Sequence, residues 1–114
     1  MTLIQNFTQI KEIIEPIPAD EFIAFRFGTP DGKSCFLGHI HRKLNPDNDP
    51  TNYLGDGDGY GAGVLTAKFL MEKHGIAYSN GATVNNSPGV NGYIEPEIKD
   101  RLMHMINDGI AAGY

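Results

Sequence analysis

The sequence predicts an α+β fold: a small, mainly helical single domain over residues 1–114, with about four helices, a short strand or hairpin, and a long loop rich in Gly, Asn and Asp. Three observations predict it. Apolar residues recur at helical spacing near both ends and in the middle of the chain, an aromatic-rich run precedes a Pro-Asp-Gly turn, and residues 45–63 carry no apolar period. A chain of 114 residues is enough for one core, whereas two cores would each be marginal.

The first helix is read from Leu3, Ile4, Phe7, Ile10, Ile13 and Ile14, with Thr2 and Gln5 spaced as a capping box. Pro16 and Pro18 stop it, because proline lacks the donor that a helix interior needs. Phe22 to Phe27 reads as a strand, and Thr29-Pro30-Asp31-Gly32 as the tight turn behind it. Cys35 to His41 fits a returning hairpin strand or a helix capped by Ser34. The four-residue repeat of Phe36, Ile40 and Leu44, with Leu37 beside it, favours the helix.

Asn45 to Gly63 holds five Asp or Asn before Tyr53 and five Gly after it, too polar and permissive for a regular element. A third helix follows from Ala62, Leu65, Phe69 and Leu70, ended by Gly75. Ile76 to Val84 reads as an irregular extended segment, and Asn85-Asn86-Ser87-Pro88-Gly89 as turn chemistry. The last helix opens at Pro96 and Glu97 and buries Ile98, Leu102, Met105 and Ile106, with the stripe running on to Ile110.

The segment Phe22 to Leu44, in which Pro30-Asp31-Gly32 leads into Cys35-Phe36-Leu37-Gly38, resembles the DUF6197 domain, a bacterial and phage family of small proteins. The similarity extends over roughly residues 3–110, since an Asn-rich turn precedes a closing amphipathic helix in the same order. The resemblance implies that family's fold and a prokaryotic or phage origin, and it transfers no reaction and no catalytic residue. The chain departs from the pattern at Gly55 to Gly63 and at His39-Ile40-His41.

Nine basic and fourteen acidic side chains give a formal charge of −5, without the basic block that duplex nucleic acid demands. A single cysteine, Cys35, excludes an intramolecular disulfide, and no apolar run approaches a bilayer span; the expected setting is the cytoplasm of a bacterial cell, encoded there or by a phage.

Cys35, His39 and His41 are the residue types of a zinc site or of a nucleophile with its base. On a helix, however, His39 and His41 point about 200° apart and cannot share a metal without outside help, whereas on a strand they would share a face; with the helix favoured, no metal is expected, and no cofactor is assigned. With Arg42 and Lys43 these histidines read as the polar side of a short helix with some affinity for anions. Gly55 to Gly63 runs into a helix start, an arrangement that can hold phosphate on backbone N–H groups. It lacks the Lys-Ser/Thr of a P-loop, and Asp56 and Asp58 would repel a phosphate unless they held a cation or ribose hydroxyls. Asp47, Asp49, Asp56 and Asp58 miss the bidentate acid of an EF-hand.

Tyr53, Tyr60, Tyr78, Tyr93 and Tyr114 fall in or beside loops, or at the last position, which suits a loop-built binding surface. The expectation is a non-enzymatic binding module for a small ligand, a nucleotide or another phosphate-bearing signal that it sequesters, or for a protein partner. The contacts are assigned to His39, His41, Arg42, Asp56, Asp58, Tyr60, Gly61, Gly63, Tyr78, Asn85 and Asn86. Two alternatives stay open: a hydrolase or transferase using Cys35 or His39 with Asp31 or Asp58, and a homodimeric adaptor pairing through the Ile98 to Ile110 stripe, where Met103 and Met105 are core or seam.

Overall fold

The computed structural model describes residues 3–47, 59–77, 81–90 and 92–114. Five α-helices, α1 (Phe7–Ile14), α2 (Phe36–Leu44), α3 (Ala62–His74), α4 (Ala82–Asn86) and α5 (Ile98–Ala111), and a 3₁₀ turn at Ala19–Glu21 make up the regular structure. Among the described residues there is no sheet, only isolated bridges between Phe22 and Ser34 and between Val90 and Tyr93. The expected α+β class with its hairpin is therefore corrected to an all-helical one. No helix among the described residues is long and apolar enough to cross a membrane.

The hairpin fails for a local reason. Ser34 donates to the Glu21 carbonyl and Ile23 to that of Ser34, which makes the bridge parallel where a hairpin needs an antiparallel pair, and the second arm, Phe36 onward, is drawn into α2. The other arm leaves the extended region at Phe25, whose φ is +66°. Residues 22–27 thus form a strap laid across the start of α2. The approach is very close: a Cβ on Gly38 would stand 1.9 Å from the Phe27 carbonyl oxygen, so only glycine fits beneath the strap.

Helix α1 starts one turn later than the Thr2–Gln5 pattern indicates. Asn6 is the cap, its Oδ1 accepting from Gln9 N–H at 2.9 Å, while Gln9 Oε1 accepts from Gln5 N–H at 2.6 Å. Phe7, Ile10 and Ile14 are then buried where α1 packs against α5 and α2. At the far end of α1, Lys99 of α5 donates through Nζ to the carbonyls of Glu15 and Ile17, satisfying backbone that Pro16 and Pro18 leave outside the helix. Edge-on contacts of Phe69 with Phe7, Tyr114 and His74 fill the space among α1, α3 and the end of the chain.

Helix α3 runs as its apolar spacing predicts and ends at Gly75, whose φ of +69° lets its N–H reach the Leu70 and Met71 carbonyls. The expected extended segment is corrected at its end, where residues 82–86 form α4, so that Asn85 and Asn86 are helical. In α5 the predicted stripe is buried at Leu102, Met105 and Ile106, whereas Ile110 is partly exposed. Arg101 is buried beside this stripe at 2 % exposure. Its guanidinium donates to four backbone carbonyls: Nε to Val84, Nη2 to Asn85, and Nη1 to Glu95 and Pro96, all within 2.7–3.0 Å. This binds the C-terminal end of α4 to the start of α5.

Arg101→Met is expected to lower the unfolding free energy by about 3–5 kcal/mol, because it strips a charged donor from buried acceptors; denaturant titration measures it. Gly38→Ala is expected to cost about 3 kcal/mol or more, since the clash is with backbone. Gly75→Ala, strained only in φ with open space around it, is expected to cost about 1–2 kcal/mol.

Candidate functional site

Between the strap, the start of α2 and α4 lies a half-open cavity of about 150 Å³. Phe25, Arg26 and Phe27 line it from the strap, Cys35, Phe36 and Leu37 from α2, and Ala82, Asn85 and Asn86 from α4. Two of the residues read from the sequence as contacts, Asn85 and Asn86, therefore belong to it.

Asn85 builds the site more than it serves it. Helix α2 has Cys35 at its cap position, with no capping hydrogen bond from its own side chain, and Ser34 does not take the role expected of it. Instead Asn85 Oδ1 accepts from Phe36 N–H at 3.0 Å, capping α2 from a helix 49 residues away in sequence. Its Nδ2 donates to the Ile23 carbonyl at 3.3 Å and to Asn86 Oδ1 at 2.6 Å. Asn86 Oδ1 also accepts from Phe25 N–H at 3.2 Å. One asparagine pair thus clasps both walls of the cavity.

Phe25 is the unusual element. It is 80 % exposed and sits at φ +66°, a region that disfavours a residue with a Cβ. Such conformations cost about 1–3 kcal/mol, persist where surrounding contacts impose them, and cluster at ligand sites. Here the bond to Asn86 and the backbone contact over Gly38 impose it.

Cys35 is mostly buried, and loss of water around the sulfur pushes its thiol pKa up; the backbone N–H groups of Gly38 and Leu37 act in the opposite direction and are outweighed. The thiol is therefore held protonated, the reverse of an activated nucleophile.

The other candidates lie elsewhere. His39 and His41 diverge around α2 as their spacing requires, but both are buried, which corrects their assignment to a polar helix face. His39 packs on Phe22 and donates through Nε2 to the Glu21 carbonyl at 2.8 Å, and burial lowers its pKa. His41 stacks on Tyr60, ring planes 11° apart. Arg42 donates to the Gly32 carbonyl and to Ser34 Oγ, steadying the Thr29–Gly32 turn. Gly61 caps α3 and Gly63 is buried in its first turn, both outside the cavity lining. Asp56, Asp58 and Tyr78 lie outside the described residues, as does most of the glycine-rich loop. Among the described residues no cluster of His, Cys, Asp or Glu could hold a metal ion.

A second polar group joins α3 to α5. Tyr93 meets His74 Nε2 at 2.8 Å and both His74 and His104 edge-on, while His104 Nδ1 lies 2.6 Å from Glu95 Oε1. Burial, then the Asp108 and Glu95 carboxylates, push the Tyr93 phenol pKa up, so Tyr93 stays a neutral strut. Its aromatic position beside loops gave no sign of this burial.

Phe25, Arg26, Phe27, Phe36, Leu37 and Ala82 were not among the residues that sequence reasoning assigned to a site. The one signal for three of them was the aromatic run at 22–27, which the strand reading absorbed. No protein-family model, curated protein or solved structure matches the chain.

Alkylation of Cys35 by iodoacetamide is expected to be slower at neutral pH than that of a free cysteine peptide, with a rate midpoint above the ordinary thiol range. A midpoint at or below that range would show a thiolate stabilised in the cavity.

Proposed function

We propose that this domain is a non-enzymatic binding module that receives a small ligand in the cavity beneath the strap. The observation that supports the reading is the cavity's construction: a strained, exposed Phe25 held at the lip by Asn86, over apolar walls of Phe27, Phe36 and Leu37. Concave, mostly apolar sites with few oriented polar groups are the usual form of small-molecule pockets.

The two alternatives drawn from the sequence have less support. The Cys35–His39 pairing lacks an activated partner, since the thiol is held protonated and the imidazole Nε2 is engaged by Glu21. The seam required for a homodimer at Ile98 to Ile110 is largely closed, because Leu102, Met105 and Ile106 are fully buried within the chain.

Benzyl alcohol, a neutral ring-bearing probe, is expected to shift the amide resonances of Phe36, Ala82 and Asn86 in a ¹⁵N-resolved NMR titration. Ala82→Leu is expected to abolish those shifts without destabilising the fold, since Ala82 is exposed at the cavity lip. Absence of any shift at these amides in the wild-type protein would overturn the reading.

A further inference from the structure

We infer that the ligand enters as a single planar ring and leaves an anionic group outside the cavity, against Arg26. The inference rests on the binding reading above and names the ligand's chemistry.

Size sets the first limit. The cavity of about 150 Å³ is of the volume that, when lined by apolar side chains, holds benzene. A whole nucleotide does not fit inside, whereas one six-membered ring does, and the half-open mouth lets the remainder of the molecule project into solvent. The walls set the second limit. Phe25, Phe27 and Phe36 offer aromatic surface, for which a flat ring is the best-matched occupant.

Charge sets the third. Arg26 is the one charged side chain among the described lining residues, and no described carboxylate shares the lining. It is an exposed residue, so the charge it brings to the lining is reached from solvent. In a chain of formal charge −5 this local reversal of sign favours an anion at the mouth. A guanidinium also matches a carboxylate or phosphate in a two-point bond. Asn85 contributes no reading of the ligand, because its carbonyl oxygen and its amide nitrogen already serve Phe36, Ile23 and Asn86.

An aromatic carboxylate and a pyrimidine nucleotide share this chemistry, and three probes separate them. Benzoate, phenyl phosphate and uridine 5′-monophosphate are titrated against the benzyl alcohol reference by the same NMR readout. At least one of the three is expected to bind about tenfold more tightly than benzyl alcohol, the ratio one charge-assisted bond supplies. Arg26→Gln is expected to erase that advantage, bringing the ratio of anion to benzyl alcohol affinity down to about one. Preference for benzoate would identify the carboxylate class, and preference for the two phosphates the phosphate class. If benzyl alcohol binds and all three anions bind no better, or if Arg26→Gln changes nothing, the inference fails while the binding reading stands. If no probe moves the cavity amides, both fail together.

Discussion

The buried guanidinium of Arg101 is the constraint on which the rest of this structure depends. Four carbonyls from two separate segments converge on one cation, and no carboxylate is needed to hold it. Two of those carbonyls belong to Val84 and Asn85, so the short helix α4 is fixed in position by α5. A five-residue helix has too little intrinsic stability to hold a position alone. Once α4 is fixed, the Asn85 amide can cap α2 and the Asn86 amide can hold Phe25, and the cavity exists as a consequence.

Much of the helical framework was legible in the sequence. Helices α1, α3 and α5 bury the centre of the stripes their spacing assigns, Phe7, Ile10 and Ile14, Ala62, Phe69 and Leu70, and Leu102, Met105 and Ile106, whereas Leu3 and Ile110 at the ends are exposed. Helix α2 was legible from Phe36, Ile40 and Leu44 but its histidines were not. Loops cover it on opposite sides, so His39 and His41 are both enclosed, and a polar residue under a loop has no periodic signature. The hairpin was misread because the aromatic run is genuinely extended at Phe22. Its one bridge, to Ser34, is parallel and so starts no hairpin, and Phe36 to Leu44 go to the helix.

The cavity was half legible. Asn85 and Asn86 stood out as polar turn-forming residues, and they do line it, although they act from a helix and largely on other backbone. The positive φ of Phe25 left no trace in the sequence, since no glycine or asparagine marks it. Arg101 carries no signal of its role in the sequence. Its burial follows from unpaired carbonyls contributed by residues 84–96, a fact of tertiary structure that no local window contains.

The contact between Gly38 and the Phe27 carbonyl has a further meaning for recognition. It sets the spacing of strap and helix by main chain touching main chain, which responds far less to thermal motion than side-chain packing does. The spacing of the pocket walls is thereby fixed by backbone. An incoming molecule would meet a preorganised shape and would not have to supply the entropy of assembling it.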